Sequence, residues 1–137
     1  MMLTQKKQAI IVQANELKWD SRSVYTPERY GAVRWKNLLS GEKTATEAIT
    51  MGLAELPPGA RFVRHWHEQP ETYFIIEGLG LVEVDGSEHE VGVGTAVFVP
   101  GHAWHQVINI GDEHLRLVYT FAVNSFQEVV YHYQEED

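Results

Sequence analysis

The chain contains no cysteine. Disulfides, zinc ribbons and thiolate catalysis are therefore excluded, and any metal must be held by imidazole, carboxylate, carbonyl or water. Long hydrophobic runs are also missing. No stretch approaches the roughly 20 apolar residues that a membrane span needs, and the apolar run over residues 9–12 is too short for the core of a signal peptide. A cytoplasmic protein is expected. Positive charge is scarce: 11 Lys and Arg stand against 19 Asp and Glu, for a net charge of −8. Phosphate binding needs clustered Lys and Arg, so no nucleic-acid partner is expected, and no membrane partner either. Glu135, Glu136 and Asp137 form an acidic tail whose expected role is solubility. Helical periodicity is almost absent.

What is present is a series of short apolar segments separated by turn residues. Residues 1–30 are the least patterned. A strand over 9–13 followed by a loop is expected there, forming either an edge strand or an arm that crosses to a partner. Strands are then predicted over 32–39, 46–56, 61–67, 71–77, 79–85, 87–91, 96–99, 103–110, 115–123 and 128–133. Asp85-Gly86 marks a tight hairpin, because glycine accepts positive φ. About ten short strands without helices predict an all-β fold, either closed or built of two antiparallel sheets. No linker or repeat divides the 137 residues, so a single domain over 1–137 is expected.

One stretch carries chemistry. Residues 59–78 read GARFVRHWHEQPETYFIIEG. On an extended strand, side chains two apart share a face, so Val63, His65 and His67 point one way and Phe62, Arg64 and Trp66 the other. A turn at Gln69 and Pro70 leads into a second strand beginning at Glu71. Two imidazoles and a carboxylate then converge where the strands meet, which outlines a divalent transition-metal site. Residues 94–109, GTAVFVPGHAWHQVIN, add an apolar strand, a Pro-Gly turn and a strand bearing His105.

Together these stretches resemble the two motifs of the cupin superfamily. Gly59, His65, His67, Glu71 and Gly78 fit every position of the first. Gly94, Pro100, His105 and Asn109 fit the second, but its inner glycine is displaced to Gly101 and His102 stands in its place. The resemblance implies a double-stranded β-helix, or jelly-roll, barrel. It also implies one divalent ion (Fe, Mn, Ni or Zn) held by His65, His67, Glu71 and His105, with positions left open for a small-molecule ligand.

On strand alternation, Tyr73 and Ile75 join Val63 on the ligand face, with Val107 opposite. Arg61 falls in the same register and is a candidate to pair with an anionic substrate. Tyr73 and Glu77 are candidate acid–base groups. His102 is a candidate for the mouth of the site, whereas His89, His114 and His132 read as surface residues. Trp35, Met51, Trp104 and Phe121 are further wall candidates. The expected function is a metal-dependent enzyme with dioxygenase-like oxidoreductase chemistry on a small oxygen-rich substrate. A metabolite-binding module, and isomerase, lyase or decarboxylase chemistry, are the alternatives. A homodimer is expected, because small cupins commonly pair and an open sheet edge needs cover.

Overall fold

The computed structural model describes residues 8–20, 22 and 31–134. Ten strands run in chain order: β1 (Arg34–Leu39), β2 (Thr50–Leu56), β3 (Arg61–Trp66), β4 (Glu71–Glu77), β5 (Leu79–Val84), β6 (Ser87–Gly92), β7 (Ala96–Val99), β8 (His105–Asn109), β9 (Leu115–Phe121) and β10 (His132–Tyr133). They form two five-stranded sheets, ordered β1-β2-β9-β4-β7 and β10-β3-β8-β5-β6, with antiparallel pairing throughout. The all-β jelly roll expected from the sequence is the fold observed.

The alternation that makes these segments strands also fills the space between the sheets. Along β9 every second residue, from Leu115 to Phe121, is buried, and β8 alternates likewise from His105 through Val107 to Asn109. The β9 side chains and Val107 meet Leu56, Tyr73, Ile75 and Val99 in one apolar core. The β5–β6 hairpin turns on Asp85 (φ 47°) and Gly86 (φ 90°), two consecutive left-handed residues, as a two-residue hairpin of this twist requires. Asn109 closes the end of the barrel. Its amide donates to the carbonyls of Leu56 and Glu113, and its Oδ1 accepts from the Gly111 N–H.

Two expectations fail at the ends. Residues 8–13 form no strand, and a 3₁₀ turn follows at Ala14–Glu16. Lys36 reaches from β1 to donate its Nζ to the carbonyls of Ala14 and Leu17, while Trp19 stacks on Arg34 and Lys36 at 4.2 and 4.5 Å. Side-chain cations thus hold this segment, where a strand would have used a backbone ladder. The rest of the expected arm, residues 1–7, 21 and 23–30, lies outside the described residues. At the other end, only His132 and Tyr133 of the strand predicted over 128–133 pair with a neighbour. Residues Phe126–Glu128 form a 3₁₀ turn because Ser125 and Glu128 make a reciprocal capping box.

Candidate metal centre

Strand geometry brings three imidazoles and a carboxylate together. His65 lies on β3 directly opposite His105 of β8, and His67 follows one residue beyond the end of β3. Glu71 begins β4 in the facing sheet. One ring nitrogen from each histidine lies within 4.8 Å of the others. Glu71 Oε1 stands 3.1 Å from His67 Nε2 and 3.4 Å from His105 Nε2. All four side chains are buried.

The hydrogen bonds decide which nitrogen faces the centre. Nδ1 of His65, His67 and His105 lies 2.7, 2.8 and 2.8 Å from the carbonyls of Val63, Gln69 and Ala103. A carbonyl only accepts, so each Nδ1 carries the proton and each Nε2 of a neutral ring presents a lone pair inward. Nε2 of His65 and of His105 has no hydrogen-bond partner in the protein. Leaving buried acceptors unmade costs about 1–3 kcal/mol each. His67 Nε2 points its lone pair at a carboxylate, which is repulsive unless a cation or proton intervenes. This donor set fits a divalent ion: nitrogen and oxygen lone pairs converge on one point and lack protein donors.

Electrostatics point the same way. Burial first, and then the neighbouring His105, lower the His65 pKa to about 3, so the ring stays neutral. For Glu71 burial opposes ionisation, and only hydrogen bonds from, or positive charge at, His105 and His67 lower its pKa; with both Nε2 atoms presenting lone pairs, a bound cation has to take that part. Burial, followed by the charge of Glu71, raises the phenols of Tyr73 and Tyr131 well above 10.

Beside the centre lies a cavity of about 140 Å³. Glu71, Tyr73, Val107 and Phe62 line one part of it, and Trp35, Ala54, Leu56, Leu117 and Tyr119 another. The C-terminal segment contributes Phe126, Gln127, Val129, Tyr131 and Tyr133. The imidazoles do not line it. Tyr131 borders both, with ring centroids 5.2 Å from His65 and 5.3 Å from His67.

Several expected site residues lie elsewhere. Arg61 is exposed and absent from the cavity wall, because β3 carries a bulge. Phe62 pairs with Val107 and His65 with His105, so Val63 and Arg64 on β3 stand against Gln106 alone on β8. The extra residue reverses the alternation: Phe62 turns inward, stacks on His65 at 4.2 Å, and takes the wall position expected of Val63. Glu77 is corrected for the same reason. A register shift between Ile75 and Glu77 turns it toward Arg116, 3.7 Å away at the surface. Ile75 is fully buried in the apolar core and does not line the cavity.

His102 is exposed, on the outside, with its ring over Trp66 at 5.7 Å. It takes the left-handed conformation itself (φ 68°), because Gly101 is needed one residue earlier. A Cβ at Gly101 would sit 2.3 Å from the carbonyl oxygen of Glu68. Met51 and Trp104 are absent from the wall, and Phe121 packs edge-on against His67 at 5.2 Å. Sequence reasoning missed Phe62, Tyr119, Phe126 and Tyr131 as wall residues. The Ser125-x-x-Glu128 pattern was a readable signal for the turn that carries Phe126.

Comparison with known proteins agrees with this geometry. The family model described as "Cupin domain" matches residues 52–121. The chain is 40% identical over 108 residues to the dimethylsulfoniopropionate lyase DddW of Ruegeria pomeroyi, covering 79% of this chain and 70% of that one. It is 30% identical over 104 residues to an oxalate-binding protein of Thermotoga maritima, covering 70% and 86%. The structure of the polyketide cyclase RemF from Streptomyces resistomycificus superposes with a TM-score of 0.73 over 95% of this chain and 89% of that one. At 18% identity this last likeness speaks to fold alone.

Proposed function

The chain belongs to the cupin family, and from that premise we propose that it is a metal-dependent lyase. Its substrate would be a small carboxylate bearing a cationic leaving group, of the dimethylsulfoniopropionate type. The observation that carries this reading is the placement of Tyr73, beside Glu71, at a ring-lined cavity next to three inward-facing Nε2 atoms. A divalent ion held by His65, His67, His105 and Glu71 would supply positive charge to polarise the substrate carboxylate.

The chain's own residues do the rest. A cavity of about 140 Å³ resembles in size the cavity of about 150 Å³ that holds benzene in another protein, so it suits a substrate of six to eight heavy atoms. Trp35, Tyr119, Phe126 and Tyr131 suit an onium group, since ring faces attract cations where water is excluded. Tyr73 is the group placed to take the proton from the carbon beside the carboxylate. The electron pair of that C–H bond becomes the new double bond. The carbon–sulfur bond breaks, and dimethyl sulfide leaves with its bonding pair, giving acrylate. Burial first, and then the charge of Glu71, keep the Tyr73 phenol protonated in the metal-free protein; a cation at the centre would favour the phenolate, whose proton would pass to solvent, and the phenolate is the form that takes the substrate proton.

A second reading, metabolite binding without turnover, is favoured by the oxalate-binding relative. The test is to load the protein with Fe, Mn, Ni or Zn, add dimethylsulfoniopropionate, and measure dimethyl sulfide and acrylate. Equimolar products are expected, falling at least 100-fold in Tyr73→Phe with metal content unchanged. No product with any ion would sink the lyase. A shift in melting temperature without turnover would favour binding, and oxygen uptake on catechols or diketones would favour dioxygenase chemistry.

A two-fold homodimer belongs to the same proposal. Phe74, Ile76 and Phe98 stand 48%, 40% and 65% exposed on the outer face of the β1-β2-β9-β4-β7 sheet. Light scattering should give twice the subunit mass, and Phe98→Asp should shift it toward one.

A further inference from the structure

The walls of the cavity are held by unequal means. β9 pairs with β2 at seven positions and with β4 at six. The segment that supplies Phe126, Gln127, Val129, Tyr131 and Tyr133 pairs with β3 at only two, His132 with Trp66 and Tyr133 with His65. Its other fastenings are side-chain contacts and single bonds: Val129 sits in the apolar core, Tyr131 packs against Phe62, His65 and His67, and the Gln134 N–H donates to the Arg64 carbonyl at 3.4 Å. The Ser125 hydroxyl and Glu42 lie 2.5 Å apart, the Phe126 N–H donates to Ser40 Oγ, and Gln69 Nε2 donates to the Glu128 carbonyl at 3.2 Å. Outside the barrel, the Trp66 and His132 rings stack at 4.0 Å with 13° between their planes. Tyr131, between the capped turn and this stack, is the ring that borders both the cavity and the imidazoles.

We infer that residues 129–133 form a flap, hinged at the capped turn Ser125–Glu128 and clasped by the Trp66–His132 stack. Its lifting opens the route between the cavity and the buried Nε2 atoms. The inference rests on His65, His67, Glu71 and His105 being the ligands, and it adds that ion exchange is gated by a clasp on the outer surface. The physical reason is a difference in opening cost. Lifting the flap breaks two ladder positions, one further backbone bond and the outer ring stack, and draws Val129 and Tyr131 off the core, whereas parting β4 from β9 breaks a ladder of six and opens the core between the sheets.

Because the chain has no cysteine, a reversible lock is available. Trp66 and His132 are cross-strand partners, and opposed Cβ atoms in such pairs come within about 4.5–5.5 Å, near disulfide range. In the Trp66→Cys/His132→Cys double variant loaded with Zn²⁺, the oxidised form should release zinc to a chelator at least tenfold more slowly than the reduced form. The reduced form, which lacks the clasp, should release it faster than the parent protein. Equal rates in the two redox forms, with the bridge verified by mass, would overturn the flap.

If the double variant fails to fold, His132→Ala replaces it: faster release supports the flap and an unchanged rate overturns it. Hydrogen exchange on the metal-free parent protein gives a readout that needs no ion. Amides of 129–133 should exchange well ahead of those of β4 and β9, and exchange of all three together would overturn the inference. Failure of every ion to bind would sink the ligand reading, while the exchange result would still decide the flap.

Discussion

Two parts of the chain build one interior by opposite means. β3, β4 and β8 place the three imidazoles and Glu71 from sheet ladders, and each imidazole is aimed by a main-chain carbonyl. The segment from Ser125 to Tyr133 places its aromatic rings through a capped turn, a few side-chain bonds and one ring stack. The first arrangement fixes geometry and the second permits movement. A metal centre beside a cavity needs both: ligands that do not stray, and a wall that yields.

The comparison breaks hardest at the ligands. His67→Ala and His105→Ala should each lower metal affinity more than 100-fold, since even the partners of ligands are worth about 10–100-fold. Elemental analysis of tag-free protein reads this directly, and full metal content in either variant would end the ladder-held half of the comparison.

Acid comes next. His65 has a folded pKa of about 3 against 6.5 unfolded, so between those values the unfolded chain binds more protons and stability rises with pH. Metal-free protein should therefore lose stability steadily below pH 6.5, by up to about 1.4 kcal/mol per pH unit from His65 alone. Denaturant titrations at pH 7, 6, 5 and 4 would show it, and a flat profile would contradict a neutral, buried His65.

Gly52 offers a smaller test of the rigid half. It faces inward on β2, and a Cβ there would sit 2.1 Å from the Tyr119 ring, whose hydroxyl donates to Asn37 at 2.7 Å. Gly52→Ala should destabilise the fold by about 1–3 kcal/mol through overpacking. An unchanged melting temperature would mean that Tyr119 is not fixed. The mildest change addresses the yielding half: Ser125→Ala removes the cap and should cost about 1 kcal/mol. Under the comparison that loss should speed exchange in 126–133 while leaving β4 and β9 unaffected.

The cluster of imidazoles and carboxylate was legible in the sequence because a period of two puts His65 and His67 on one face, and the turn after Pro70 sets Glu71 opposite. Register was not legible. The bulge between Phe62 and His65 arises from how β3 meets β8, two segments about forty residues apart, and it moved Arg61 out and Phe62 in. The shift beyond Ile75 likewise took Glu77 to Arg116. The N-terminal segment misled for another reason. The residues that follow its strand-like stretch, Ala14 to Trp19, are held by Lys36 and by a ring over cations, contacts with no periodic signature. The C-terminal turn did have a signature, Ser125-x-x-Glu128, masked by the apolar pattern that follows it.

The carbonyls of Val63, Gln69 and Ala103 have a consequence for how such a chain changes over generations. Every amino acid at those three positions brings the same carbonyl, so drift there leaves the aim of the imidazoles untouched. Ring-bearing wall positions such as Phe62, Phe126 and Tyr131 have no such insurance, and each exchange reshapes the space a substrate meets. Lineages built on this plan are free to reshape the cavity while inheriting the same aim of the three imidazoles.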